Sequence, residues 1–441
     1  MPRTANDSST GSYRQGLLEA MSAFVDRSVL VGIQLSRWAW KPWMLVLAAI
    51  LMAWDPTPSL TGRYDSVGLT LRQLCPKKRL GATYQGFIKA LRAGSAGLLL
   101  SLSLHLRIRL EQVAAAHWTL HGWCAFAVDG SRVECPRTKA NEQALGRAGR
   151  KKTGPQLFLT SIYHMGSGCP WDFRIGPGVD SERDHLRQML ACLPKGALLV
   201  ADAGFVGYDL LSAILDGKRH FLIRVGSNIR LLRKLGFARQ ESDNLVYLWP
   251  DAMRREHQLP LVLRLIVLHD GKKPVFLLSD VLDQTVLADR QAGQLYRLRW
   301  GVEVFYRSLK QTLGHRKMRS QAPDQAKCEL TWAVMGLWLL SLMTVHQLIA
   351  AGQEPLRMSV AAALRIIRRI VRHPPRSGPA KTVLSQLAHA VKDSYRRRAA
   401  KKARDWPHKK SEGPPGAPEI VIATPTQVSQ AKELYDKNKA A

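Results

Sequence analysis

A short charged segment between Tyr296 and Lys310 constrains this chain more than any other part of its sequence. It reads YRLRWGVEVFYRSLK and carries Tyr296, Arg299, Glu303 and Lys310 at the spacing Y-x2-R-x3-E-x6-K. In an α-helix, at about 100° per residue, the four positions fall within about 60° of one another. The spacing therefore predicts a helix that carries all four polar groups on one narrow face.

This combination of side chains suits metal and phosphate chemistry. A carboxylate such as Glu303 can bind Mg²⁺, while an arginine one turn before it and a lysine two turns after it can hold phosphate oxygens. Charged residues at helical spacing are equally typical of a solvated face with ion pairs. The motif alone leaves that alternative open.

Two aspartates upstream each follow a short apolar run that predicts a strand. Asp129 ends the run from Cys124 and precedes Gly-Ser, which indicates a tight turn at a sheet edge. Asp202 leaves the wholly apolar run from Ala197, and Gly204 permits a close turn into the next helix. Carboxylates at the ends of adjacent strands can converge with one on a nearby helix. Three such oxygen donors suit a pair of Mg²⁺ ions.

Taken together, these residues resemble the DDE transposases of bacterial insertion sequences that carry the Y-R-E-K signature. The signature matches at every spaced position. The segment from Asp202 to Phe205, with Gly207 in register, is similar to the family's D-x-G-F-x-G segment. The resemblance covers roughly residues 120–345 and does not extend to the first 110 residues or to the tail.

The resemblance implies an α/β fold, with a ribonuclease-H-like catalytic core that a β-rich insertion interrupts before the catalytic glutamate. It implies a metal-dependent enzyme that cuts DNA at the ends of an element and joins those ends to target DNA by two-metal phosphoryl transfer. The catalytic and metal-binding residues would be Asp129, Asp202 and Glu303. The cofactor would be two Mg²⁺ ions, with Mn²⁺ as a substitute and no small-molecule cofactor.

Other residues would contact DNA in such an enzyme. Tyr296, Arg299 and Lys310 would position phosphate near the cleavage site, and Arg224 is a further candidate for phosphate contact. Relatives of this kind use an aromatic residue in the insertion to hold a base flipped from the DNA end, and Trp249 is the candidate here. A tryptophan packed inside a predicted hairpin is the alternative, and it is the favoured interpretation.

The charge balance points to a polyanionic partner. Lys and Arg number 65 against 34 Asp and Glu, which gives a net charge of +31 and a pI near 10.3. Such an excess costs self-repulsion and favours nucleic acid as the partner. A membrane surface and charge as a solubility device are the alternatives. The resemblance implies double-stranded DNA, both element ends and target, bound by a homodimer in a synaptic complex.

The chain shows the marks of a cytoplasmic protein. Its six cysteines form no C-x-x-C pair, so reduced structural thiols are expected. The first 20 residues lack the apolar region of a secretory signal. The apolar stretch at 330–348 is interpreted as a core helix, with a membrane span as the alternative. The expected location is the bacterial cytoplasm, in association with the nucleoid and not with a membrane.

Composition and periodicity divide the chain into six regions. The predicted order is a helical N-terminal region that is a candidate for binding DNA ends (1–115), the first part of the core (116–228), the β-rich insertion (229–285), the second part of the core with the catalytic helix (286–350), a basic helical region (351–405) and a disordered tail (406–441). A short helix is expected near Gln427–Tyr435 within that tail.

Two other functions remain open from the sequence. One is a ribonuclease-H-like nuclease that uses the same metals without joining strands. The other is a catalytically inactive DNA-binding inhibitor of transposition, which would keep the charge and need no acidic cluster.

Overall fold

The computed structural model describes residues 8–33, 40–75, 80–81, 83–146, 154–237, 241–269, 274–372, 382–393 and 416–440. Its helices, in chain order, are α1 Ser8–Phe24, α2 Pro42–Trp54, α3 Leu60–Leu74, α4 Tyr84–Val113, α5 Lys139–Leu145, α6 Glu182–Met189, α7 Tyr208–Asp216, α8 Asp251–Arg255, α9 Asp289–Leu298, α10 Trp300–Arg307, α11 Pro323–Ala350, α12 Val360–Arg372, α13 Thr382–Ser385 and α14 Pro425–Ala440.

Among the described residues there are also ten strands. They are β1 Ala125–Glu134, β2 Gln156–His164, β3 Cys169–Pro177, β4 Leu198–Ala201, β5 His220–Val225, β6 Arg230–Arg233, β7 Leu245–Leu248, β8 Leu261–Leu268, β9 Val275–Ser279 and β10 Glu419–Ile422. The predicted α/β class is confirmed.

The chain forms two compact units, and each is built from separated segments. The helical unit comprises Met1–Thr119, Gly130–Ser181 and Gly301–Lys392. The strand-rich unit comprises Leu120–Asp129, Glu182–Trp300 and Asp393–Ala441. Strand β1 contributes residues to both.

The helical unit is organised around α11. Pro323 occupies the first turn of this helix, where a missing N–H costs nothing, and the helix then runs for 28 residues. Its side chains from Leu330 to Val345 are buried on every face, and it packs against α2 and α4. Helix α4 begins at a Thr83 cap, whose hydroxyl accepts a hydrogen bond from the Gly86 N–H. In the same unit β2 and β3 pair antiparallel beside β1.

By length and composition, α4 and α11 are both apolar enough to cross a membrane. The apolar window of α11 is 78% buried within the protein. This confirms the interpretation of residues 330–348 as a core helix.

The strand-rich unit contains a sheet in the order β10-β6-β7-β8-β9-β5-β4-β1. Strands β1, β4 and β5 are parallel. Residues 125–128 of β1, the whole of β4 and most of β5 are buried, as expected of strands covered on both faces. Strand β9 pairs antiparallel with β5, and β8 pairs antiparallel with β9. The strands of the predicted insertion therefore extend this sheet.

Two sequence predictions are wrong. Residues 124–135 were expected to form two strands separated by a turn at Gly130-Ser131, but β1 runs unbroken from Ala125 to Glu134 and Asp129 lies in its interior. The tail was expected to be disordered, but residues 419–422 form β10 and residues 425–440 form α14. The expected short helix is therefore confirmed and longer than predicted. Residues 406–415 of the tail, and 373–381 and 394–405 of the predicted basic region, lie outside the described residues.

Candidate active site

Three of the predicted site residues lie in one row across adjacent parallel strands. Strand β1 pairs with β4 at an offset of 73 residues (Ala125 with Leu198), and β4 pairs with β5 at an offset of 22 (Leu198 with His220). Extending the same register gives 129 + 73 = 202 and 202 + 22 = 224. The observed pairing ends at Ala127 with Val200 and at Ala201 with Ile223. Continuation of that register aligns Asp129, Asp202 and Arg224 in one row, on strands about 4.8 Å apart.

Asp202 is the first residue after β4, and its carboxylate is anchored by its own turn. The Ala203 N–H donates to Asp202 Oδ1 at 2.9 Å. The Tyr296 hydroxyl donates to the same oxygen at 3.3 Å. Arg299 Nη2 lies 4.0 Å from Asp202 Oδ2, and the Arg299 side chain is 9% exposed. This carboxylate thus has a backbone donor, a phenol and a buried cation around it.

Tyr296 connects the aspartate to the two arginines. Burial is the main cause that raises the pKa of its phenol, and the nearby Asp202 carboxylate raises it further, while Arg299 and Arg224 act in the opposite direction. Arg224 also hydrogen-bonds the Tyr296 side chain, and Arg299 lies over the Tyr296 ring at 5.5 Å. A phenol held in its protonated form remains a donor to the aspartate.

The glycines that follow Asp202 make room for side chains from α6. A Cβ added at Gly204 would lie 2.5 Å from Glu182 Oε1, and one added at Gly207 would lie 3.0 Å from Arg183 Nη1. The Arg183 Nε–H also donates to the Gly204 carbonyl at 2.7 Å. The glycines of the D-x-G-F-x-G segment therefore allow the start of α6 to approach the turn that carries Asp202.

The segment that carries the signature is not one regular helix, which corrects the prediction. Helix α9 ends at Leu298, α10 begins at Trp300, and residues Ser308–Thr312 form a π-helical turn. A π-helical turn changes the rotation per residue. The rotation of 100° per residue that the prediction assumed therefore does not hold as far as Lys310. Such turns occur often at functional sites.

Glu303 and Lys310 belong to the helical unit. Glu303 is half-buried in the first turn of α10. Lys310, within the π-helical turn, donates through Nζ to the Ser131 hydroxyl at 2.8 Å. Ser131 lies two residues beyond Asp129 along β1, so Lys310 is fixed to the strand that carries the first aspartate. Ser131 is a positioning residue that the sequence did not single out.

The residues predicted to bind the divalent ions are carboxylates. Asp129 and Asp202 are oxygen donors, the type that Mg²⁺ prefers, and the chemistry of these two residues fits a hard cation. Within the described ranges, no group of three or more His, Cys, Asp or Glu side chains is arranged to hold a metal ion.

Trp249 does not have the exposure that base stacking requires. It is 4% exposed in a cluster with Tyr247 and Leu245, and its indole N–H donates to the Gln258 carbonyl at 2.8 Å. The predicted DNA contact at Trp249 is therefore wrong, and the alternative of a packed tryptophan is confirmed. Among the tryptophans that the structure describes, only Trp300 is exposed, at 56%. Trp300 directly follows Arg299 of the signature, and this position was the feature of the sequence that could have drawn attention to it.

All six cysteines are free thiols, as expected.

Comparisons with known proteins agree with the resemblance seen in the sequence. Residues 121–339 match the family model described as the transposase DDE domain. The transposase InsG of insertion sequence element IS4, from Escherichia coli strain K12, is 28% identical over 232 residues. That match covers 50% of this chain and 51% of InsG, so the chain spans about half the length of this relative.

One solved structure, the piggyBac transposase in a synaptic complex with hairpin DNA, aligns with 86% of each chain at 11% identity and a TM-score of 0.41. The family model covers the part of the chain that carries the two aspartates and the signature segment. Residues 121–339 of this chain are therefore similar to the transposase DDE domain family, and the InsG match agrees with a similarity to transposases of insertion sequences.

Proposed function

We propose that this protein is a DNA transposase that cuts DNA at the ends of its insertion sequence and joins those ends to target DNA. The observation that carries the proposal is the row formed by Asp129, Asp202 and Arg224, with Tyr296 and Arg299 around Asp202. Two carboxylates side by side repel each other unless a cation lies between them, and the arrangement suits a divalent ion.

In this proposal Asp129, Asp202 and Glu303 hold two Mg²⁺ ions, for which Mn²⁺ can substitute. When bound, the ions supply activation of the attacking water or 3′-hydroxyl and stabilisation of the leaving oxygen. The Tyr296 hydroxyl and the Ala203 N–H fix the orientation of the Asp202 carboxylate through their hydrogen bonds.

The cationic residues of the site have a separate role. Arg299 and Arg224 bring positive charge to the carboxylate row, where the phosphate of the scissile strand would enter. Lys310, fixed by Ser131, presents a further ammonium for a non-bridging phosphate oxygen. Because the ions and the cations complete the chemistry, the reaction needs no covalent bond between protein and DNA.

The partners in this proposal are double-stranded DNA, at both element ends and target, and a second copy of the chain in a synaptic complex. We place its action in the bacterial cytoplasm, at the nucleoid.

The decisive experiment is a cleavage and joining assay on labelled DNA of the element ends, with Mg²⁺ or Mn²⁺. Wild-type protein should release the end and join it to a target plasmid. Asp129→Asn, Asp202→Asn and Glu303→Gln should each lower cleavage by at least about a thousandfold while DNA binding stays within about threefold. Full activity in any variant removes that residue from the assignment. Cleavage without any joined product would identify a nuclease instead.

A further inference from the structure

A groove of about 990 Å³ lies within the helical unit, between α4, β3 and α11. Its α4 wall is lined at intervals of three or four residues from Lys89 to Arg107, so one continuous helix face borders it. At 1.5 Å per residue, this face is about 27 Å long. The lining comes entirely from the helical unit, whereas Asp129 and Asp202 belong to the strand-rich unit.

The groove carries an excess of positive charge. The lining contains five cationic residues, which are Lys89, Arg92, Arg107, Arg174 and Lys327, and two acidic ones, which are Asp172 and Asp324. The difference is 5 − 2 = 3 positive charges.

Both groove carboxylates are already engaged. Arg92 Nη2 lies 2.8 Å from Asp324 Oδ2, and Arg107 Nη1 lies 3.4 Å from Asp172 Oδ2. Asp172 also accepts a hydrogen bond from the Phe173 N–H at 2.8 Å. The acidic residues thus hold two of the arginines in place.

Arg174 and Lys327 are exposed on two different walls, β3 and α11. Within the described part of the chain, no carboxylate forms an ion pair with either of them. Between the cations the lining is apolar, with Leu99, Leu100 and Phe173, and Leu100 is 72% exposed. Separated cations with an apolar surface between them suit a chain of phosphates joined by sugars better than one small anion.

We propose that this groove binds the sugar–phosphate backbone of DNA, through Arg174 and Lys327 in particular. This inference rests on the proposed function, since it takes DNA as the substrate. The occupant follows from charge complementarity, because a protein with a net charge of +31 gains most from a polyanion. Contacts of this kind are independent of sequence and position the duplex for chemistry elsewhere.

The test compares two double charge reversals in the full-length chain. Arg174→Glu with Lys327→Glu alters the groove. Arg357→Glu with Arg365→Glu alters two exposed arginines of the same unit that do not line it. Both variants change the net charge equally, from +31 to 31 − 4 = +27. Binding of a labelled 30-base-pair duplex of mixed sequence is followed by fluorescence anisotropy in metal-free buffer, from 50 to 300 mM salt.

The groove variant should bind at least about tenfold more weakly at 0.1 M salt, and its slope of log K against log salt should flatten by about two. The control should lose less than about threefold. Equal losses in the two variants, or no loss in the groove variant, would overturn the proposal. So would a changed oligomeric state by light scattering with unchanged DNA affinity, since that outcome would assign the groove to a second copy.

The cleavage assay keeps the two proposals distinguishable. Absence of cleavage by the wild-type protein would reject the proposed function, while the anisotropy result would still decide the groove. Thermal melts of both variants followed by circular dichroism show that each is folded.

Discussion

At the scale of single residues, Trp249 and Trp300 have opposite environments. Trp249 is 4% exposed and hydrogen-bonded, whereas Trp300 is 56% exposed. Trp249→Ala should lower the free energy of unfolding by about 3–5 kcal/mol, because it opens a cavity in a packed cluster. Trp300→Ala should change it by less than about 0.5 kcal/mol. Urea unfolding measures both, and similar losses in the two variants would contradict the assignment of their environments.

Two buried histidines of the helical unit should make the protein sensitive to acid. Burial is the main cause that lowers the pKa of His164 from 6.5 to about 4 and that of His315 from 6.5 to about 3. Arg63 contributes to the shift of His315. In the unfolded chain both rings bind a proton near pH 6.5. The stabilisation is therefore complete above that pH and is lost as the pH falls towards 4 and 3.

Each of these histidines should contribute up to about 1.4 kcal/mol per pH unit to that loss. His315→Gln removes one titrating ring and should flatten the dependence of unfolding free energy on pH between 6.5 and 4. His389→Gln alters an exposed histidine of the same unit and serves as the control. Denaturant unfolding at a series of pH values gives both slopes, and an unchanged slope in His315→Gln would contradict the prediction.

At the scale of elements, the sequence predicted where strands form better than it predicted the residues at which they end. Strand β4 has Asp202 directly after its end, as expected from the apolar run that precedes it. The turn expected after Asp129 is absent because Gly130 and Ser131 continue β1, and turn propensity is overridden when neighbouring strands offer hydrogen bonds. The π-helical turn at Ser308–Thr312 likewise has no signature in side-chain periodicity.

The residues missed from the site depend on contacts between distant parts of the chain. Ser131 contacts Lys310 across 179 positions, and no local pattern reports that pair. The indole of Trp249 finds its acceptor at Gln258 only because the chain turns back through α8. The aspartates were predictable because each follows an apolar run, whereas their alignment required the register of β1 with β4.

The turn after β4 permits an element-scale test of why glycine is present at position 204. Gly204→Ala would bring a Cβ within 2.5 Å of Glu182 Oε1, so the Glu182 side chain must move. Because the clashing atom is the end of a flexible side chain, we expect the variant to lose only up to about 1 kcal/mol of unfolding free energy. Adding Glu182→Ala should recover part of that loss, because it removes the clashing atom.

The coupling between the two substitutions is measured by a double-mutant cycle in urea. Gly68 provides the matched control, since it lies in α3 and an added Cβ there meets nothing within 4 Å. Gly68→Ala should be neutral or stabilise the protein by up to about 1 kcal/mol. Purely additive effects at positions 182 and 204 would show that the close approach is not what selects glycine.

At the scale of the whole molecule, the C-terminal segment completes the sheet of the strand-rich unit. Strand β10 pairs parallel with β6, from Glu419 beside Arg230 to Ile422 beside Arg233. Helix α14 places Ala431 and Leu434 in the cluster that buries Tyr247 and Trp249. The apolar residues at 428, 431 and 434 recur at helical spacing, and that signal was hidden by the polar composition around it.

Removal of residues 416–441 should therefore destabilise the strand-rich unit, because these residues are part of its packed structure. Deletion would expose Trp249 and Tyr247 and leave β6 as an unprotected edge strand, which favours aggregation. Lost burial of two or three aliphatic side chains corresponds to about 3–5 kcal/mol.

Leu434→Ala isolates the packing contribution, and Lys437→Ala changes an exposed residue of the same helix. Tryptophan emission should shift to longer wavelength in the deletion and in Leu434→Ala but not in Lys437→Ala, and light scattering should rise in the deletion. An unshifted spectrum in the deletion would mean that β10 and α14 do not cover the cluster in solution.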